Sequence, residues 1–172
     1  MASIVPLTIQ ASSNQYMTGR IVFGTQSLAQ AYPGNCYWAV ILDRSNLNVI
    51  QNFTFTYNNN VPPQMVNYLN NPQYILILTT MNTVTPQLPV GSLYTALIQL
   101  GAGAKLKSLE QIYAALNCGT WGKFTYTLVT VMDNTPGLEF GDYSPGGGMV
   151  STLSLVPIQI GSNTLYTPTP LS

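Results

Sequence analysis

Histidine is absent from this chain of 172 residues, and charged residues are scarce: five Lys and Arg and five Asp and Glu, or 6%. An average soluble domain has roughly 25% charged residues. Without histidine the chain lacks the usual acid or base near neutral pH and the commonest metal ligand. Nucleic-acid binding needs many Lys and Arg residues to neutralise phosphates. The composition therefore excludes histidine-dependent chemistry, argues against a nucleic-acid partner, and predicts no metal and no cofactor.

Long hydrophobic runs are absent as well. The densest apolar segment, 37–42, is far shorter than the roughly 18 residues of a membrane span. The N-terminal residues 1–7 lack the basic region and long apolar core of a secretory signal. We therefore expect no membrane span, and synthesis in a host cytoplasm without a cleavable signal.

Cysteine is limited to Cys36 and Cys118. Two cysteines allow one disulfide or two buried thiols, and an unpaired cysteine behaves as a small buried hydrophobe. The sequence favours two thiols and leaves the pairing open.

Neutral polar residues supply the polarity that ions do not: 15 Asn, 11 Gln, 12 Ser and 19 Thr. With 46% hydrophobic residues and 11 Tyr, the chain has enough apolar surface to fold, which excludes disorder. A net charge of zero promotes association. The composition thus predicts a globular domain whose surface is covered by neighbours in an assembly.

Segments rich in β-branched and aromatic residues alternate with turn clusters, as in strands. Apolar residues at helical spacing mark three short helices; Gly101 ends the second, and Ser108 with Gln111 forms a capping box for the third. The predicted strands are 4–9, 20–23, 37–42, 48–56, 74–78, 124–131 and 150–160, and the predicted helices are 62–69, 93–100 and 108–116. The predicted fold class is α+β: a compact domain of β-sheets and about three short helices, with a β-prone C-terminal arm.

A glycine-rich stretch divides the chain. Residues 1–143 are predicted to form the globular domain, 144–148 a hinge, and 149–172 an arm without charged residues. Such an arm cannot bury itself alone, so it either completes the domain's sheet or adds to the edge of a neighbouring subunit. The predicted assembly residues of the arm are Met149, Val150, Leu153, Leu155, Ile158, Ile160 and Tyr166.

The order of motifs over 34–134 resembles the interleukin-like EMT inducer family, also called the PANDER-like domain. The resemblance is carried by the strand–turn–strand at 37–49, Phe53-Thr54-Phe55, the strand at 74–80, the helix at 93–100 with its Leu100-Gly101-Ala102 step, the helix at 108–116, and Trp121-Gly122-Lys123-Phe124. It implies that compact fold. Members include secreted cytokine-like proteins and a sugar-binding stem module of a glycosyltransferase, and similar domains occur in bacterial and phage surface proteins.

Two departures from the family affect what the resemblance implies. The secreted members' four-cysteine framework is missing, which argues against a cytokine. An acidic stretch usually follows the second core strand, whereas this chain reads Thr80-Met81-Asn82-Thr83. That difference puts a sugar site at this loop in doubt.

Catalytic patterns are weak. A glycosidase needs two facing carboxylates. Of the five acidic residues, Asp43, Glu110, Asp133, Glu139 and Asp142, only Asp133 and Asp142 could approach each other, and both lie in turn-like sequences where an Asx turn accounts for them. Cys118 has no histidine to activate it, and 101–105 lacks the spacing of a phosphate-binding loop. The sequence therefore predicts that the protein is not an enzyme.

Aromatic rings and amides are the side chains that recognise sugars, and both are present. Trp121, in a glycine-flanked turn, is the candidate stacking platform; alternatively it packs down over the helix pair. The other candidate glycan-binding residues are Asn82, Asp43 and Arg44. Trp38 lies in a strand and is predicted to be core. Tyr16, Tyr32 and Tyr57, near loops, suit a protein interface as well as a glycan.

These patterns lead to two functional expectations. The first is a non-enzymatic structural subunit of an extracellular particle, such as a decoration or tail-fibre-type protein of a phage virion, which assembles with other subunits, and as a homo-oligomer, through its uncharged arm. The alternative is a lectin-like adhesion module that binds cell-surface glycans.

Overall fold

The computed structural model describes residues 2–12, 18–31, 34–116, 122–143 and 148–171. Strands dominate these residues, and the three helices among them are short, so the coarse α+β prediction is confirmed. In chain order the elements are β1 (Val5–Ser12), β2 (Gly19–Phe23), β3 (Gln26–Gln30), β4 (Cys36–Asp43), β5 (Val49–Phe55), α1 (Pro63–Val66), β6 (Tyr74–Met81), β7 (Thr83–Val84), a 3-10 turn (Thr85–Gln87), α2 (Gly91–Gln99), α3 (Ala104–Ala115), β8 (Lys123–Val131), β9 (Leu138–Tyr143), β10 (Gly148–Ile160) and β11 (Asn163–Pro170).

The strands form two antiparallel halves of one hydrogen-bonded sheet. The first half, here the central sheet, has the order β5-β4-β6-β8-β9, with the short β7 beside β8. The second half, here the arm sheet, has the order β3-β2-β1-β10-β11. A parallel bridge between Ser12 of β1 and Met81 of β6 joins the two halves.

The central sheet is buried on both faces because alternate residues of its strands point to opposite sides. On one side Trp38 and Val40 of β4 pack in a cluster with Leu7 and Ile9 of β1 and with Leu153 of β10. This cluster lies between the two sheets, so the arm sheet covers this face of the central sheet. The prediction that Trp38 is a core residue is confirmed, since its side chain is fully buried.

The helices cover the other face of the central sheet. Ala39 and Ile41 of β4 pack there with Leu97 of α2 and with Leu106 and Leu109 of α3. The molecule therefore has three layers: helices, central sheet and arm sheet. None of the helices in the described residues is long and apolar enough to cross a membrane.

The segment predicted to be an arm is integrated into the arm sheet. Along its length β1 pairs with β10, from Val5 opposite Leu155 to Ser12 opposite Gly148. The segment therefore completes the chain's own sheet, one of the two alternatives left open by the sequence. Of the predicted hinge, 144–148, only Gly148 lies within the described residues, and it is the first residue of β10.

Proline does not interrupt β10, although it breaks the predicted strand pattern. Pro157 lies two residues beyond Leu155, which is the last residue of β10 opposite β1. The missing N–H of a proline is harmless where no partner strand is present. Strand β10 therefore runs through Pro157 and continues as the partner of β11 alone.

The third helix differs from the prediction at its start. Helix α3 begins at Ala104 after Gly103, and Gly103 provides no side-chain capping bond. Ser108 lies inside the helix, so the predicted capping box of Ser108 and Gln111 is wrong. Gly101 ends the second helix as predicted: it follows the C-cap residue with a positive φ of 87°, a conformation that glycine adopts without strain.

Candidate functional site

Asp43 lies at the end of β4, where a tight turn leads towards β5. Its backbone N–H donates to the carbonyl of Asn48 at 3.0 Å, and its carbonyl accepts from Leu47 at 2.8 Å. The Asp43 carboxylate accepts hydrogen bonds from the backbone N–H and the hydroxyl of Ser45, at 2.7 and 2.5 Å. The side chain thus stabilises its own turn, as Asx-turn residues do.

Arg44, the next residue, is buried with 4% of its surface exposed. Its Nε donates to the carbonyl of Tyr166 at 2.7 Å, and its two Nη atoms donate to the carbonyl of Pro72 at 2.7 Å and to Thr167 Oγ1 at 2.9 Å. Burial lowers the pKa of Arg44, and the nearby Asp133 carboxylate opposes that shift. The guanidinium therefore binds the protein itself, joining the β4–β5 turn, the segment before β6 and β11.

Asn82 follows β6 at the opposite end of the central sheet. Strands β4 and β6 are antiparallel, with Asp43 opposite Tyr74 and Cys36 opposite Met81. At a rise of about 3.4 Å per residue, the ends of the eight-residue β6 are about 24 Å apart. Asn82 and the Asp43–Arg44 turn therefore cannot contact one monosaccharide together. The candidate glycan-binding residues Asn82, Asp43 and Arg44 therefore lie at two separate ends of the central sheet.

The surroundings of Asn82 are polar and partly covered. Its side chain is 8% exposed, and Oδ1 accepts a hydrogen bond from Lys123 Nζ at 2.6 Å. Its backbone N–H donates to the carbonyl of Ser12 at 2.5 Å, beside the bridge between the two sheets. Trp121, the candidate stacking platform, lies outside the described residues, as do Cys118, Tyr16 and Tyr32.

The predicted assembly residues of the arm divide into two groups. Leu153 and Leu155 are fully buried between the sheets, and Tyr166 packs against the same cluster. These three serve the chain's own core. The exposed residues are Val150 at 63%, Ile158 at 38% and Ile160 at 50%, and Met149 is half-buried. The exposed group leaves apolar side chains on the surface of the arm sheet.

Glu139 has a structural role that the sequence did not indicate. Its carboxylate accepts from the backbone N–H groups of Lys105 and Leu106 at 3.1 and 3.4 Å, and from the hydroxyl of Tyr126 at 2.7 Å. The first turn of a helix has unpaired N–H donors that favour an anion. Glu139 of β9 therefore caps α3 from outside the helix. Burial and then the Glu139 carboxylate raise the pKa of Tyr126.

Asp133, Glu110 and Cys36 also have structural surroundings. Asp133 accepts hydrogen bonds from the backbone N–H and hydroxyl of Thr135 at 3.1 and 2.6 Å. Burial raises the pKa of Glu110, and Lys107 opposes the shift. Cys36 is a buried free thiol whose pKa burial raises to about 11, so it is protonated and unreactive near neutral pH. Within the described residues, no three His, Cys, Asp or Glu side chains form a metal-binding group.

The outer face of the arm sheet is almost without charge. Its side chains alternate with the buried ones of the same strands and form rows across the sheet, for example Val22, Thr8 and Thr152. The next row contains Arg20 beside Gln10 and Val150. Arg20 is the only charged residue in the five strands of this sheet.

Comparison of the chain with protein-family models and with curated proteins finds no significant match.

Proposed function

We propose that this protein is a non-enzymatic structural subunit of an extracellular particle, of the decoration or tail-fibre type carried by phage virions. The observation that carries the proposal is the near absence of charge from the arm sheet, whose five strands contain only Arg20. The centres of protein interfaces are depleted of charged residues because every buried ion must lose its water. A wide neutral sheet face meets that requirement.

Apolar side chains strengthen the same argument. Val150 is 63% exposed and Val22 is 37% exposed, on strands that flank β1 from either side. Thr8, Thr152 and Ser154 lie between or beside them with short side chains that can hydrogen-bond to a partner. A neighbouring subunit of the particle could contact this outer face at little desolvation cost, because the face has almost no charged groups.

The resemblance of 34–134 to the interleukin-like EMT inducer family is part of the proposal. The resembling region contains β4 to β8 and the helices, and β1 to β3 and β9 to β11 would be additions to it. Similar domains in phage surface proteins support a place on a virion rather than a role in signalling.

Purified particles provide the test. We expect mass spectrometry to find the chain in them at a fixed ratio to the major shell or tail protein. The double variant Val22→Lys with Val150→Lys should remain folded but fail to incorporate, because its lysines would be buried without partners. Ile98→Lys, at an exposed site on α2 in the layer of helices, is the matched control and should incorporate normally. Absence of the wild-type chain from particles would refute the function, whereas normal incorporation of the double variant would refute only this face.

The second candidate function is glycan binding at the Asn82 end of the central sheet. The observation that favours it is the hydrogen bond from the Lys123 ammonium to the Asn82 amide. Lys123 directly follows Trp121 and Gly122 in the sequence. Trp121→Ala should then abolish binding to a glycan array without lowering the melting temperature. Tyr57→Ala, which removes an aromatic ring 38% exposed elsewhere, is the control. A wild-type chain that binds no glycan on the array would end this candidate.

A further inference from the structure

The side chains of Lys123 and Asn82 contact each other at one end of the central sheet. Lys123 Nζ donates to Asn82 Oδ1 at 2.6 Å, although the two residues are 41 positions apart in the chain. An amine and a carboxamide are the two groups that combine into a new amide with release of ammonia. The lysine amine is also an established nucleophile in proteins. The contact therefore brings together the two reactants of an isopeptide bond.

The two reacting atoms are close to the distance of an attack. A C=O bond is about 1.23 Å long, so Lys123 Nζ is no more than about 3.8 Å from Asn82 Cγ. Reacting atoms in a near-attack arrangement are about 3–3.5 Å apart. The terminal torsion of an asparagine side chain is soft, and its rotation turns the face of the carbonyl carbon towards the amine.

The backbone holds both side chains in place. Asn82 has a positive φ of 49° between β6 and β7, and its N–H donates to the Ser12 carbonyl at 2.5 Å. Lys123 is the first residue of β8 and belongs to its ladder with β7. The N–H of Thr85 donates to the carbonyl of Gly122 at 2.7 Å, directly beside Lys123. The fold thus supplies the positioning that a reaction between separate molecules would have to gain from chance encounters.

Burial separates this pair from the other lysines. Asn82 is 8% exposed, which keeps water from its carbonyl carbon, and Lys123 is half-buried. The other two lysines of the chain, Lys105 and Lys107, are exposed on α3. Lys123 is therefore the candidate nucleophile.

Asp142 of β9 is a carboxylate on the same face of the sheet as Lys123. It lies opposite Thr125 in the ladder between β8 and β9. Lys123 and Thr125 point to the same face because they are two residues apart on one strand. Lys123 and Asp142 are therefore diagonal neighbours, about 7–8 Å apart and within reach of a long side chain. At this distance a carboxylate exchanges protons with the pair directly or through one water.

We propose that Lys123 and Asn82 form an intramolecular isopeptide bond once the chain has folded. The bond between Lys123 Nζ and Asn82 Cγ forms, and the bond between Asn82 Cγ and Nδ2 breaks. Two protons pass from Nζ to Nδ2, with Asp142 as their carrier, and the amide nitrogen leaves as an ammonium ion. The reaction needs no cofactor, oxidant or second reactant. It takes place within one chain and is therefore independent of the proposed function.

The bond would close 82–123 into a covalent ring that contains α2 and α3. Such a ring restricts the unfolded chain as a disulfide does, so the cross-linked protein should melt at a higher temperature than one without the bond. The bond would also consume the ammonium and the amide that favour glycan binding at this end of the central sheet.

Intact-mass spectrometry is the test. We expect the folded wild type to be lighter than its sequence by one molecule of ammonia, and a protease digest to contain a branched peptide that joins residues 82 and 123. Lys123→Arg keeps a cationic donor for Asn82 but cannot form the bond, so it should have the full mass of its sequence. Lys107→Met is the control and should lose ammonia like the wild type. Asp142→Asn should slow the loss after cell-free synthesis by about a hundredfold or more.

The proposal has clear contrary outcomes. A folded wild type that keeps its full mass and gives no branched peptide would overturn the bond. A loss of ammonia that persists in Lys123→Arg would assign the loss to an asparagine succinimide instead. An unchanged rate in Asp142→Asn would overturn its role as the proton carrier. The branched peptide is sought in the wild type, so the test does not depend on the folding of any variant.

Discussion

Arg44 and Tyr166 are joined by two hydrogen bonds, one donated by each residue. The Arg44 Nε donates to the carbonyl of Tyr166 at 2.7 Å, and the Tyr166 N–H donates to the carbonyl of Arg44 at 2.8 Å. One end of this contact is the turn after β4, and the other is the outer edge of β11. The last strand of the chain is therefore attached to the central sheet from a side that β10 does not reach.

Replacing Arg44 should destabilise the fold. Arg44→Met leaves the buried carbonyls of Pro72 and Tyr166 without their donor, at a cost of about 3 kcal/mol in the free energy of unfolding. The stability of Arg44→Lys should fall between those of the wild type and Arg44→Met, because an ammonium cannot reproduce the three contacts of the guanidinium. Arg20→Met, on the exposed face of β2, should change stability by less than about 0.5 kcal/mol. Urea denaturation measures the free energy of unfolding of all three variants. If Arg44→Met is as stable as Arg20→Met, the hydrogen bonds of Arg44 do not stabilise the fold.

The C-terminal strands should be necessary for folding. Leu153→Ala removes a fully buried side chain between the sheets and should cost about 2–5 kcal/mol. Val150→Ala, three residues earlier and largely exposed, should cost about 0.5 kcal/mol or less. Thermal unfolding followed by circular dichroism compares them, and equal melting temperatures would show that β10 is not part of the core. Deletion of 149–172 should, for the same reason, unfold the chain rather than release a folded domain.

Removing the carboxylate that caps α3 should have a local effect. Glu139→Gln keeps the shape but weakens the contact with two backbone donors and the Tyr126 hydroxyl, at a cost of about 1–2 kcal/mol. The amides of Lys105 and Leu106 should then exchange with solvent faster in hydrogen-exchange NMR. Asp142→Asn, an exposed change on the same strand, should leave those amides protected. Unchanged exchange in Glu139→Gln would show that Glu139 is not the cap.

Burial of Cys36 predicts a loss of stability in alkali. Because its pKa rises from 9.0 to about 11 on folding, the folded state binds the thiol proton more tightly than the unfolded state. The contribution is therefore complete below pH 9.0 and is lost as the pH rises towards about 11. With Cys118→Ala as the background in both proteins, adding Cys36→Ala should flatten that part of the stability profile. Tyr37, whose pKa burial also raises, and Tyr126 contribute a further decline that Cys36→Ala leaves in place. Identical profiles for the two proteins would contradict the assignment to Cys36.

The strands that the sequence predicts best are those with apolar residues on both faces. Strands β4, β6 and β8 form the middle of the central sheet, and their burial on two sides is visible in their composition. Strands β3, β9 and β11 were not predicted. Their polar, charged or proline-containing sequences form strands because a neighbouring strand pairs with them, and pairing is a property of the tertiary fold.

The positions of the candidate site residues likewise depend on the tertiary fold. Asp43 and Asn82 each follow a core strand, but β4 and β6 run in opposite directions, so the two residues lie at opposite ends. The relative direction of two strands cannot be predicted from a single sequence. Arg44 has partners 122 and 123 positions away in the chain, and the pattern around it indicates only a polar turn. Its burial could not be predicted before the position of β11 was known.

The pairing of β10 with both β1 and β11 brings the two ends of the described chain together. Val5 and Pro168 both lie opposite Leu155, which places them two strand spacings, or about 10 Å, apart. A label, a fusion partner or a tether attached at either end would therefore project from the same corner of the molecule. A short peptide between the two ends would also close the chain into a ring, so that new termini can be opened at a loop elsewhere without disturbing either sheet.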